Sequence, residues 1–201
     1  MVPPMTRLCS IILFFLAGSL PGIGCDSSVH HHHVLTPATP GPPTPLTGAS
    51  GDVVVVVFTS VDCPIANAMA PQLRRDLDAL ESSGARTYLV YPRRGTTIAQ
   101  LQMHAADYGL PTRQLLDPDH VMVEALDATV TPQGVVIEFG TSGDWVIRYA
   151  GRVNDLYTSI GDRRDLVTEH SLRDAAMAVL DGVPVTSVPG APVGCMIERI
   201  R

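Results

Sequence analysis

Apolar residues fall along this chain in two rhythms, unbroken runs and helical steps, and the two alternate after residue 52. The run Val53-Val54-Val55-Val56-Val57-Phe58-Thr59 has no polar alternation, which predicts a strand covered on both faces. Ile65, Met69, Leu73, Leu77 and Leu80 then recur at helical spacing, with Arg74, Arg75, Asp76, Asp78 and Glu81 on the wet face. That spacing predicts a helix over 65–83, ended by Gly84. A second strand is expected over 86–91 and a second amphipathic helix over 97–108, stopped by Gly109. A short strand at 114–116 leads into the turn Asp117-Pro118, and 120–126 forms a short helix. Strands at 135–139 and 145–149 flank a turn around Gly143-Asp144 and form a hairpin. Residues 152–165 read as irregular, 169–180 as a last helix, and 183–201 as a Pro- and Gly-rich tail. The order implies an α/β domain with a central mixed sheet flanked by helices, built from parallel crossovers and one antiparallel hairpin.

The residues before 52 follow neither rhythm. In 1–24, Arg7 is the one charge ahead of an apolar run over 8–18, too short to cross a bilayer core of about 30 Å as a helix. The layout is that of an export signal. Its end, Gly22-Ile23-Gly24-Cys25, resembles a bacterial lipobox, which implies a lipid on Cys25 and a membrane anchor outside the cytoplasm. Residues 25–51 hold Pro37, Pro40, Pro42, Pro43 and Pro45 and read as a tether ahead of a domain at 52–201. His30, His31, His32 and His33 lie side by side in it, either a solvated tract or a loose site for a transition metal ion.

Composition narrows the chemistry. With 201 residues the chain has room for one domain plus extensions. The net charge of −6 argues against a nucleic-acid partner. All 14 basic residues are arginine, and the absence of lysine excludes Schiff-base catalysis and Walker-type phosphate binding.

The candidate chemistry centres on Cys63. It would leave a buried strand and cap a helix, where unpaired N–H groups and the positive end of the dipole favour thiolate. Pro64 at the first helical position removes an N–H that has no partner anyway. The alternative is an inert thiol buried as core filler.

Strand, Cys63-Pro64, a helix containing Pro71 and a later Thr131-Pro132 ahead of a hairpin together resemble the thioredoxin fold. The segments Asp62-Cys63-Pro64-Ile65-Ala66-Asn67, Tyr149-Ala150-Gly151-Arg152-Val153-Asn154-Asp155 and Gly194-Cys195-Met196-Ile197 resemble exported bacterial redoxin-domain proteins of the alkyl hydroperoxide reductase/thiol-specific antioxidant type. The resemblance covers roughly 52–197 and implies an extra strand and helix before a cis-proline at Pro132 facing the reactive sulfur. It implies thiol–disulfide exchange or peroxide reduction, with a thiol or disulfide protein or a peroxide as partner, and calls for no cofactor. Ala66 stands where a thioredoxin has its second cysteine, so Cys195, an outside thiol or an oxidant is left as partner of Cys63. For Cys195, a redox partner, a structural bridge and a free thiol all remain open. Ser60 matches the hydroxyl residue that peroxiredoxins place three before the cysteine, Val56 stands where they carry proline, and Arg148 or Arg152 would have to serve the thiolate. These departures favour disulfide exchange over peroxide reduction. His104 reads as a surface or half-buried histidine. His120 would be a copper ligand only in a copper-delivery relative, which carries a second nearby cysteine. The competing reading is a non-catalytic metal-binding or structural envelope lipoprotein.

Overall fold

A computed structural model describes residues 34–35, 47–111, 113–141, 143–186 and 190–200. The chain divides into two units, 1–31 and 32–201, and every described residue belongs to the second. The export segment 1–24, Cys25 and His30, His31, His32 and His33 lie outside the described residues.

The strands are β1 (Val34–Leu35), β2 (Val53–Phe58), β3 (Arg86–Tyr91), β4 (Gln114–Leu116), β5 (Val130–Thr131), β6 (Gln133–Phe139), β7 (Trp145–Gly151), β8 (Tyr157–Ser159), β9 (Asp162–Arg163) and β10 (Cys195–Met196). The helices are α1 (Pro64–Ser82), α2 (Ile98–Tyr108), α3 (Val121–Ala125) and α4 (Ser171–Leu180). Six strands form one sheet in the order β1-β7-β6-β2-β3-β4. β2, β3 and β4 run parallel, β6 pairs antiparallel with β2, and β7 pairs antiparallel with β6. The sheet is therefore mixed, as the element order implies.

The unbroken apolar run in β2 has a direct cause. Val53, Val55 and Val57 face a core with Met69, Leu73, Leu77 and Leu80 of α1 and Leu172 of α4. Val54, Val56 and Phe58 face a second core with Met122 and Val123 of α3, Ile137, Phe139 and Trp145. A strand buried on both sides has no solvent face to mark with polar residues. At roughly 1.5–3 kcal/mol for each fully buried valine or phenylalanine, β2 anchors the whole sheet.

Local chemistry sets the helix ends. Thr97 and Gln100 form a capping box at the start of α2, and Gly109 ends it at φ 61°. α3 starts where Asp117 Oδ2 accepts the N–H groups of Met122 (3.0 Å) and Val123 (2.9 Å). α4 starts two residues later than its periodicity predicts. Asp155 Oδ1 accepts the N–H groups of Thr168 (2.8 Å) and Glu169 (2.9 Å), which ties them to the loop in place of a helical turn. Five strands, β1, β5, β8, β9 and β10, depart from the sequence expectation. β8 and β9 form a small ribbon inside 152–165, and β10 of the tail pairs antiparallel with β5. β1, within the stretch read as a tether, pairs antiparallel with β7. Among the described residues no helix is long and apolar enough to cross a membrane.

Candidate active site

The parallel crossover from β2 to α1 places Cys63 at the carboxyl end of a central strand, where open α/β sheets bind ligands. Cys63 is the N-cap of α1, in extended backbone at φ −84° and ψ 109°. Its Sγ accepts the Ala66 N–H at 3.4 Å, the bond an N-cap serine would make through oxygen. As a thiol, Sγ donates to the Thr131 carbonyl at 3.0 Å. The Thr131–Pro132 peptide is cis.

The tail completes the site. β10 lies antiparallel to β5 in a register that sets Cys195 opposite Thr131 and Met196 opposite Val130. Gly194 makes this approach possible, since a Cβ there would sit 2.0 Å from the Thr131 carbonyl oxygen. Both cysteines are free thiols, and Cys63 is buried at 2% exposure beneath the tail.

The two sulfurs hold their protons unequally. Burial alone would raise the Cys63 pKa. Hydrogen bonds from the Cys195 thiol, the Ala66 N–H, the Cys195 N–H and the Thr131 hydroxyl outweigh burial and hold it below its ordinary value. Burial, the hydrogen bond to Cys63 and the Cys63 charge push Cys195 up to about 11. The pair therefore ionises first at Cys63 while the proton stays on Cys195.

A cavity of about 970 Å³ opens at this point, walled by Ser60 and Asp62 before the cysteine, Arg93 and Arg94 after β3, His120, and the tail from Cys195 to Ile200.

The sequence model of the AhpC/TSA family matches residues 36–155, more than half of the chain. The chain belongs to the AhpC/TSA family. Its fold is thioredoxin-like, with β4 and α3 as the additional strand and helix before the cis peptide. Two solved structures are similar at a TM-score of 0.64 and 22% identity each. One is a hypothetical protein from Sinorhizobium meliloti 1021, with 75% of this chain and 81% of that chain covered. The other is an uncharacterized conserved protein from Geobacillus kaustophilus, with 75% and 79% covered. A secreted Mycobacterium tuberculosis disulfide oxidoreductase is similar at a TM-score of 0.43 and 16% identity, over 67% of this chain and 84% of that one. No curated protein matches the chain.

The structure brings Cys63, Cys195, Thr131 and Ser60 to one cavity, with Pro132 joined to Thr131 by the cis bond. The Ser60 hydroxyl is turned away from sulfur chemistry, donating to Asp62 Oδ1 at 2.7 Å. Arg148 pairs with Glu138 and Arg152 with Glu169, and neither lines the cavity. The arginines that do line it are Arg93, Arg94 and Arg199. Their signal in the sequence is positional for the first two, which follow the strand next to β2 at its carboxyl end. His104 is buried at 6% exposure and not on the surface, because Tyr91 and Asn67 satisfy both ring nitrogens. His120 is also buried and turns Nε2 to the Pro92 carbonyl at 3.0 Å. Among the described residues no group of three or more His, Cys, Asp or Glu is placed to hold a metal ion.

Proposed function

We propose that this chain is an exported thiol–disulfide oxidoreductase in which Cys63 attacks and Cys195 resolves. The observation that carries the reading is the pair itself, a helix-capping sulfur whose pKa is lowered, hydrogen-bonded to a second thiol whose pKa is raised to about 11. The Cys63 thiolate attacks one sulfur of a substrate disulfide. An S–S bond breaks, a Cys63 mixed disulfide forms, and the departing thiolate takes up a proton from water. Cys195 then gives its proton to the second departing sulfur and attacks Cys63. The substrate gains two electrons as two thiols, and the chain loses two electrons as the Cys63–Cys195 disulfide. A partner dithiol protein, running the same exchange in reverse, restores the reduced pair. The export pattern of 1–24 and the lipobox-like Cys25 support a position in the cell envelope, with Cys25 as the anchor. Disulfide exchange is preferred to peroxide reduction because the Ser60 hydroxyl is committed to Asp62.

The test uses intact mass and activity of the mature chain with Cys63→Ser and Cys195→Ser. The reading expects Cys63→Ser to abolish turnover of a disulfide substrate, and Cys195→Ser to accumulate a mixed disulfide at Cys63. Full turnover without Cys63 overturns it. Rapid turnover of hydroperoxide with none of disulfide moves the assignment to peroxide reduction.

A further inference from the structure

Behind Cys63 lies a partly buried chain of hydrogen bonds that the reaction itself does not use. Asn67, in the first turns of α1, reaches back with Nδ2 to the Val61 carbonyl at 3.0 Å. Its Oδ1 meets His104 Nε2 of α2 at 2.9 Å. His104 Nδ1 meets the Tyr91 hydroxyl at the end of β3 at 2.9 Å. Tyr91 is fully buried, and the Tyr108 ring packs over the imidazole at a centroid distance of 4.9 Å.

The direction of every proton follows from one end. A backbone carbonyl only accepts, so Asn67 turns its NH₂ toward Val61 and its oxygen toward His104. His104 then donates through Nε2–H, its neutral ring leaves a lone pair on Nδ1, and the Tyr91 hydroxyl donates to it. Burial pushes the imidazole pKa down, with the Asp107 carboxylate opposing in part, which agrees with a neutral ring. Each side-chain nitrogen and oxygen in the chain has a partner.

The far end of this chain is the turn that carries the reactive sulfur. Val61, Asp62 and Cys63 join β2 to α1, and the Cys63 N–H to Ser60 carbonyl bond of that turn is long at 3.4 Å. Three elements, β3, α2 and α1, converge through side chains on its Val61 carbonyl. We propose that Tyr91, His104 and Asn67 act as a positioning relay that fixes the Val61–Cys63 turn and so keeps Cys63 Sγ on the N-terminus of α1. None of the three touches substrate. The proposal rests on Cys63 being the nucleophile.

The test measures the rate of iodoacetamide alkylation at Cys63, resolved by peptide mass, against pH in the reduced full chain. Asn67→Leu and His104→Leu are each expected to move the midpoint up by about one unit, which leaves about tenfold less thiolate at neutral pH. The double variant is expected to be no worse than Asn67→Leu alone, because the two act in series. His104→Gln, which keeps an N–H toward Asn67, is expected to restore much of the shift. His170→Leu serves as the control, since it removes a half-buried partner of the buried Asp76 on α1 without touching the turn. It is expected to lower the melting temperature and leave the midpoint in place. If the leucine variants do not fold, Tyr91→Phe removes one oxygen and is expected to move the midpoint in the same direction. Unchanged midpoints in folded variants, or additive losses in the double variant, overturn the relay. A wild-type midpoint at or above that of an ordinary thiol overturns the functional reading instead.

Discussion

Gly194→Ala is the smallest change that separates the two cysteines. The glycine lies in the tail just before β10, and the atoms facing it are backbone, which cannot swing aside. A Cβ would stand 2.0 Å from the Thr131 oxygen, 2.6 Å from the Thr131 carbonyl carbon and 3.0 Å from the Pro132 nitrogen. To reach an ordinary contact of 3.4 Å the tail must retreat by about 1.4 Å. That retreat stretches the bonds from the Cys195 thiol and Cys195 N–H to Cys63, leaving the Ala66 N–H and the Thr131 hydroxyl as its donors. A hydrogen bond to a charged acceptor contributes about 1.5–3 kcal/mol, and one pKa unit is about 1.4 kcal/mol. Losing one such bond therefore moves the Cys63 midpoint up by about one to two units. The sign follows from the donors, which stabilise the thiolate and not the thiol. The assay is alkylation at Cys63 against pH, with the rate of Cys63–Cys195 disulfide formation read in parallel by intact mass. The midpoint should rise and disulfide formation should slow together. An alanine variant with the wild-type midpoint and wild-type closure rate refutes the claim that the tail activates Cys63.

Three further outcomes follow from the same structure. Burial of Asp155 is outweighed by hydrogen bonds from the Thr168 hydroxyl and the Glu169 and Thr168 N–H groups and by the Arg164 charge, which hold it at about 2, below its unfolded value near 3.8. Its contribution is present above the unfolded value and is lost as pH falls through about 2, so Asp155→Asn lowers the melting temperature at pH 7 and loses its effect toward pH 2, on the order of 2 kcal/mol in all; an effect independent of pH contradicts this. Arg94 lines the cavity with no carboxylate in ion-pair reach among the described residues. Arg94→Glu should therefore slow attack on a dianionic aromatic disulfide at low salt more than attack on a neutral one, and equal slowing refutes the electrostatic role. Oxidation of the reduced chain should remove two hydrogens by mass and raise the melting temperature, since a closed loop of this length restrains the unfolded chain by about 5 kcal/mol; a midpoint that does not rise contradicts the pairing.

Much of this site is written in local patterns. The five valines of β2 announce a strand buried on both faces, and Cys63-Pro64 announces a helix start, because both signals depend on neighbours in the chain. The cis bond at Thr131-Pro132 follows from the resemblance to the thioredoxin fold and not from a local signal. The partners that give Cys63 its character are not local. β10 is two residues long, too short for any period, and its docking on β5 depends on Gly194 meeting a backbone more than sixty residues away. His104 carries an ordinary helical spacing, and its burial is visible only once Tyr91 and Asn67 are seen on either side of it. Ser60 shows the converse: its spacing from Cys63 suits peroxide chemistry, yet Asp62, two residues on, takes its proton. Asp155 likewise overrides the periodicity that would start α4 earlier.

The chemistry of this pair depends on the order in which two sulfurs give up their protons. A pH titration of the reduced chain, with each cysteine's alkylation followed separately by peptide mass, reads that order directly. Cys63 should become reactive first, below the pH of an ordinary thiol, and Cys195 only near pH 11. Cys195 reacting first, or both titrating together at the ordinary thiol value, would contradict it.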